Sequence, residues 1–250
     1  VQTCALPISD CHMEAVYTVG EICKKCYSCV RACPTKAIEV HGGQANIIPE
    51  KCISCGNCVT VCTQNAKRVK SSIEDALQLI EDESRETYAM IAPSFPASFL
   101  DMEPEQLVGY LHSLGFDKVF EVAFGADLVS YVYYQMFKDC TELSPQQFYI
   151  STPCPAVVSF VEKQFPDLVP HLTPIMSPME ATAKLIRETV SSEASIVFIG
   201  PCVAKKDEAR RLELVDVVLT FKELGEMMSS ETLPSPWDAE KHEFDKPHAN

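Results

Sequence analysis

The sequence predicts two folded parts, a small α+β module organised by cysteines and then a larger α/β domain with a mainly parallel sheet. Two observations carry this. One cysteine run occurs twice between residues 23 and 62, and from about residue 88 onward short apolar runs alternate with helical patterns. Size agrees, because 250 residues is fewer than two average domains of ~150. With 46% hydrophobic and 22% charged residues, the chain can bury a core. Its net charge of −14 disfavours nucleic acid and anionic membrane as partners. No apolar run approaches the ~18 residues needed to cross a bilayer, so the chain reads as soluble.

The opening Val1-Gln2-Thr3-Cys4-Ala5-Leu6-Pro7-Ile8 looks like a translated sequencing adapter. Residues 1–12 are therefore expected to be a non-native scar, with Met13 as the native start. Of thirteen cysteines, Cys4 and Cys11 fall in or beside that scar and eleven remain. No secretory pattern is visible.

Cys23, Cys26, Cys29 and Cys33 are spaced C-x2-C-x2-C-x3-C with Pro34 following, and Cys52, Cys55, Cys58 and Cys62 repeat the spacing 29 residues later. Three thiolates at intervals of three wrap one corner of a cubane, and the fourth is expected on a short helix pointing away, where it serves a second cluster. This is the spacing of bacterial two-cluster ferredoxins. It assigns Cys23, Cys26, Cys29 and Cys62 to one 4Fe-4S cluster and Cys52, Cys55, Cys58 and Cys33 to another. A disulfide framework would suit a secreted chain with less regular spacing, and zinc needs four close ligands where each run offers three plus one. Between the runs, 36–40 and 44–48 flank His41-Gly42-Gly43, a hairpin turn. Thr63 stands where the second copy would usually carry proline, a change expected to be harmless. Residues 13–70 thus read as a ferredoxin-like electron conduit in a reducing, cytoplasmic setting.

Ser71-Ser72-Ile73-Glu74 reads as a capping box opening an acidic helix to about residue 83, and 71–86 as a linker between domains. The domain 87–250 then proceeds through a strand at 88–92, a helix at 105–114 stopped by Gly115, a strand at 118–122 and a helix at 126–138. A strand at 148–150 and a helix from Pro155 follow. Ser177-Pro178-Met179-Glu180 caps a helix to about 190, a strand covers 196–199, a charged helix comes next, and 215–219 is a strand. Thr220-Phe221-Lys222-Glu223 caps the final helix. Cys154 and Cys202 are both expected just beyond the carboxyl ends of strands, where open α/β sheets place ligands, and each is framed by proline. Cys140 lacks that framing and reads as structural. His112 reads as structural too, and Phe120, Phe124, Tyr131, Tyr133, Tyr134 and Phe137 as core. Neither a P-loop nor a G-x-G-x-x-G run occurs, so nothing supports nucleotide binding.

With the cysteine module followed by Ile91-Ala92-Pro93, the 115–120 run, Thr152-Pro153-Cys154-Pro155 and Pro201-Cys202-Val203-Ala204-Lys205-Lys206-Asp207-Glu208, the chain resembles FeFe-hydrogenases over roughly 19–224. The resemblance implies an H-cluster, a 4Fe-4S cubane joined through one cysteine to a di-iron unit carrying CO and cyanide. It matches Cys154 and Cys202 to the first two of four cubane ligands. Lys205 matches the lysine that hydrogen-bonds a cyanide, and Glu208 the glutamate of the proton path. Ala92 and Pro93 match the loop beside the di-iron unit. Lys206 is expected to be a solvated lysine at the helix start.

Three departures matter. The catalytic branch of the family has Cys-Cys-Pro where this chain has Pro153-Cys154-Pro155, so the proton-relaying thiol is absent. Gly200 replaces a methionine, which is expected to leave that side of the pocket emptier. Both changes resemble the sensory branch, whose hydrogenase-like domain is followed by further iron-sulfur, PAS and signalling-output regions. Finally, the downstream C-x3-C pair that completes the cubane does not appear before Asn250, so the chain is expected to be an N-terminal fragment, with its tail from Ser229 a loop. The resemblance implies a hydrogen or redox sensor of an anaerobe, with a redox protein such as ferredoxin and H2 or protons as partners. A hydrogen:ferredoxin-type enzyme and a plain electron carrier are the alternatives.

Overall fold

The structure is a computed structural model that describes residues 15–139, 148–237 and 239–246. Cys4, Cys11, Met13 and Cys140 lie outside them. In chain order the elements are β1 (Val16–Thr18), α1 (Ser28–Ala32), β2 (Ile38–His41), β3 (Gln44–Ile47), α2 (Asn57–Thr60), β4 (Lys67–Val69), α3 (Ile73–Glu81), β5 (Thr87–Ile91), α4 (Pro104–Leu114), β6 (Lys118–Glu121), α5 (Ala123–Asp139), α6 (Pro155–Gln164), α7 (Pro178–Thr189), β7 (Ser195–Gly200), α8 (Ala204–Leu212), β8 (Val217–Thr220) and α9 (Phe221–Met228). No described helix is long and apolar enough to cross a membrane. The chain divides into two compact units.

Of the described residues, the first unit holds 15–70, 148–175 and 202–207. The expected hairpin is present: β2 pairs antiparallel with β3, and Gly42 and Gly43 turn the chain at φ 58° and 76°, a conformation glycine adopts without penalty. A second pair, β1 with β4, ties the two ends of the module together. Three-residue strands give too short a pattern to stand out in the sequence, and neither was expected. The expected strand at 148–150 is absent; Ile150 makes a single parallel bridge to Leu172. Its N–H donates to His171 O at 2.8 Å and its carbonyl accepts from Thr173 N at 2.9 Å, contacts local to this unit and not to a larger sheet.

Of the described residues, the second unit holds 71–139, 176–201, 208–237 and 239–246. Its four-stranded sheet has the order β6-β5-β7-β8, parallel throughout, as the alternating pattern predicts. Every residue of β5 and β7 is buried, the signature of a parallel sheet covered on both faces. Met90, Ile91 and Ile199 from the sheet meet Leu107 and Leu111 of α4, Ile186 of α7 and Leu224 of α9 in one core. Gly115 ends α4 with φ 108°, and the boxes Ser177–Glu180 and Thr220–Glu223 cap α7 and α9, all as the sequence indicates.

Two expectations fail here. The 71–74 capping box does not form: α3 begins at Ile73, Ser72 makes no side-chain cap, and the Ser72 N–H donates instead to Glu223 Oε1 at 2.7 Å. The aromatic run is not uniformly core. Phe120 is fully buried, but Tyr131 and Tyr134 are 62% and 60% exposed, and Phe124 and Phe137 are exposed too. Apolar side chains lie all round α5, and among the described elements α7 is the one it packs on most. The described residues after Ser229 are irregular, as expected. It is still held, because Asp245 exchanges hydrogen bonds with the backbone of Val119 on edge strand β6. His112 is structural, bonded to Phe116 O at 2.9 Å and packed on His242.

Candidate iron-sulfur sites

The duplicated cysteine run folds into a duplicated backbone. Lys25, Tyr27 and Lys36 have positive φ, and so do Ser54, Gly56 and Asn65, their counterparts 29 residues on. Left-handed residues on either side of Cys26 and Cys55 curl each loop round its own centre. For non-glycine residues this costs about 1 kcal/mol apiece, strain typical of loops built around a ligand. The third cysteine of each run, Cys29 or Cys58, lies inside a short helix. The fourth lies just past the helix end and not on it: Cys33 caps α1 with an extended backbone, and Cys62 follows α2. That change of direction carries the fourth thiol away from its own run.

The result is two cavities. Cys23, Cys26, Cys29 and Cys62 line the first, and Cys33, Cys52, Cys55 and Cys58 line the second, each with about 350 Å³ of space partly open to solvent. Backbone N–H groups point at the sulfurs in matching places: Ala37 N donates to Cys33 Sγ and Ala66 N to Cys62 Sγ, both at 3.2 Å. Such donors stabilise thiolate ligands. None of the ten described cysteines is in a disulfide. Among the described residues no three His, Cys, Asp or Glu side chains converge closely enough to hold a single metal ion; each set of thiols is spread round a cavity wall. Four thiols around a shared space, with inward N–H groups, fit a four-iron cluster.

Burial shapes the thiols. It pushes Cys29 and Cys52 up and Cys58 up to about 11, against the pull of Lys67 on Cys29 and Cys58, and of Ser54 and Lys163 on Cys52. Cys26 is exposed and is held below its usual value by hydrogen bonds from Ser28, and Cys62 is also lowered because bonds from 64–67 outweigh burial.

Cys154 and Cys202 belong to the same unit as this module. Cys202 follows β7 by two residues, as expected. Cys154 does not follow a strand; it is the N-cap residue of α6. Burial raises Cys202, backbone N–H groups of Ala204 and Lys205 and the Lys205 charge oppose the rise, and neighbouring Cys154 adds a little to it. Lys205 Nζ donates to Pro153 O at 3.4 Å, so Lys205, Cys202 and Cys154 share one locality. Lys206 is not solvated; it is buried, because α8 is covered where it starts. The same unit joins this locality to the second cavity: a Cβ on Gly56 would lie 3.3 Å from Val203 Cγ2, and Ser54 Oγ donates to Asp207. From α6, Lys163 Nζ donates to the carbonyls of Pro49, at 3.1 Å, and Cys52.

In the second unit, Ala92 follows β5 directly and its N–H donates to Ile199 O at 2.8 Å, so the Ala92-Pro93 loop leaves the carboxyl edge of the sheet beside β7. Glu208 is buried on α8. The space at Gly200 is not emptier: a Cβ there would stand 2.7 Å from the Phe198 ring, which fills it. Sequence reasoning missed Lys67, Lys163 and Phe198. Aligning the two runs at their offset of 29 would have singled out Lys67.

A family model described as iron only hydrogenase large subunit, C-terminal domain, matches residues 85–250. The chain belongs to the iron-only hydrogenase family. A 4Fe-4S dicluster domain model matches residues 15–63, so this member of the family carries a two-cluster iron-sulfur region ahead of its hydrogenase domain. The chain is 29% identical over 145 residues to iron hydrogenase 1 of Clostridium pasteurianum, covering 50% of the chain and 24% of that protein. It is 24% identical over 227 residues to the NADP-reducing hydrogenase subunit HndD of Solidesulfovibrio fructosivorans, covering 83% and 35%. The cytosolic Fe-S cluster assembly factor NAR1 of Kluyveromyces lactis is 33% identical over 108 residues, covering 36% and 23%. Among solved structures, a variant of FeFe-hydrogenase HydA1 from Chlamydomonas reinhardtii superposes with a TM-score of 0.61 at 25% identity, covering 71% of this chain and 51% of that one. The chain thus spans about half, or less, of the length of these hydrogenases.

Proposed function

We propose that the chain is the electron-relaying part of a hydrogenase-type sensor, in which two 4Fe-4S clusters pass single electrons to or from a domain built to hold an H-cluster. The observation that carries this reading is the pair of four-cysteine cavities, the second of which lies against the loop bearing Cys202. When bound, a 4Fe-4S cluster supplies a one-electron couple with little rearrangement. The protein's share is to hold it through Cys23, Cys26, Cys29 and Cys62, or through Cys33, Cys52, Cys55 and Cys58, and to point N–H groups at the sulfurs.

Cys154 and Cys202 are the ligands contributed here to the H-cluster cubane. Lys205 suits a cyanide, since a buried ammonium gains a charge-assisted hydrogen bond to a partly negative nitrogen. Ala92 and Pro93 are assigned to the family's loop beside the di-iron unit, and Glu208 to its proton path, by the motifs that they match. An electron-carrier protein such as ferredoxin and H2 or protons are the partners.

Sensing, in place of sustained turnover, follows from Pro153, which has neither a thiol nor an N–H with which to move a proton beside Cys154. In the complete, matured protein, Pro153→Cys should raise hydrogen turnover at least tenfold from a slow basal rate. A wild-type protein already as fast as catalytic hydrogenases would sink the sensing reading and leave the enzyme.

A further inference from the structure

The two halves of the iron-sulfur module match position for position at an offset of 29. Left-handed residues match, and so do the N–H donors Ala37 and Ala66. One matched pair differs sharply. Ile38 is a core residue, 7% exposed, and its counterpart Lys67 is more deeply buried still, at 2%. A lysine so buried is rare unless something pairs with its charge. Its Nζ donates to the Thr18 hydroxyl and, at 3.0 Å, to Ala45 O, two neutral acceptors brought to it by the β1–β4 register and by β3. Among the described residues no carboxylate stands within ion-pair distance of it.

Lys67 lines the first cavity beside Cys23, Cys26, Cys29 and Cys62. The strand that carries it, β4, also packs on α2, the helix that holds Cys58 of the second set, and its charge acts on Cys58 as well as on Cys29 of the first. A cation thus stands where internal symmetry would place an aliphatic side chain, within electrostatic range of both sets of thiols. The negative charge able to offset it is the charge the two centres bring.

We propose that Lys67 is a shared tuning residue whose buried ammonium raises the reduction potentials of both 4Fe-4S centres together. The inference rests on the electron-relay reading above. Each centre takes one electron from a one-electron carrier protein, which is oxidised by one, and later gives that electron up. A fixed positive charge favours the reduced form because that form carries one more negative charge. At an effective dielectric of about 20, a unit charge several ångströms away changes such an equilibrium by more than a factor of ten.

The test is an EPR-monitored redox titration of the anaerobically reconstituted 250-residue chain, with iron and sulfide counted in each sample. Lys67→Met should make both centres harder to reduce by at least tenfold, equivalent to about 59 mV for a one-electron couple. Lys67→Arg, which keeps the charge, should stay near the wild-type values. If the Met variant takes up iron poorly, Lys67→Gln, which keeps a hydrogen-bond donor and loses the charge, should show the same shift. Unchanged potentials in charge-free variants with both centres intact would overturn the inference, as would a shift confined to one centre. A wild-type chain that assembles no 4Fe-4S centre would overturn the relay reading itself, an outcome the iron and sulfide counts separate from the others.

Discussion

Changing Cys23 and Cys62 together to alanine removes two thiols from one cavity, whereas changing Cys23 and Cys33 together removes one from each. The two pairs therefore separate an interleaved arrangement of ligands from one in which four consecutive cysteines hold one cluster. With four irons per centre, the wild-type chain should take up about eight, the Cys23/Cys62 variant about four and the Cys23/Cys33 variant close to none. Consecutive ligation reverses the last two values. The assay is anaerobic reconstitution followed by iron and acid-labile sulfide analysis, with EPR of the reduced samples to count centres. About four irons in the Cys23/Cys33 variant and almost none in the Cys23/Cys62 variant would refute the reasoning from helix ends. A second readout is built into the fold. The module's buried core is small, mainly Cys29, Cys33, Ala37, Ile38 and Ala45, and its loops carry left-handed residues at about 1 kcal/mol each. Metal binding must supply much of its folding free energy. Amide exchange across 15–70 should accordingly rise far more in the Cys23/Cys33 variant, while β5 and β7 stay protected.

Two further predictions concern the hydrogenase-type domain. Glu223 accepts from Ser72 N, Thr220 N and Thr220 Oγ1 while only 5% exposed, so Glu223→Ala strands buried donors and should cost about 2–4 kcal/mol, read as a lowered Tm; Glu223→Gln should cost less. At Gly115, φ is 108° and an added Cβ would lie 2.6 Å from Ile80 Cγ2, so Gly115→Ala should destabilise by about 1–2 kcal/mol or more in denaturant unfolding, and a neutral result would contradict the strained cap.

The parts of this fold that were readable in advance are those decided within a few residues. The C-x2-C-x2-C-x3-C runs, the Gly42-Gly43 turn, the Gly115 stop and the boxes at Ser177 and Thr220 each depend on backbone geometry over one turn of chain. The alternation of apolar strands and helices was readable too, because a parallel sheet covered on both faces needs wholly apolar strands. The failures have a common cause. Ser71-Ser72-Ile73-Glu74 has the pattern of a cap, yet a carboxylate 151 residues away takes the Ser72 N–H. Residues 148–150 have strand composition but find their partner at 171–173. The aromatic residues of α5 are apolar enough for a core, but exposure depends on how much of the helix α7 covers.

The same division runs through the sites. Spacing along the chain determined that eight thiols form two sets, because a cysteine three residues from the last faces the same centre and one just past a helix end cannot. Charge and shape around the sets were decided only by the tertiary structure. The burial of Lys67 within reach of both sets arises from the register between β1 and β4. The contacts of Lys163 with the Cys52 loop come from a helix more than a hundred residues downstream, and the filling of the Gly200 space from the ring of Phe198. Backbone geometry is set by neighbours in sequence, and burial and electrostatic environment by neighbours in space.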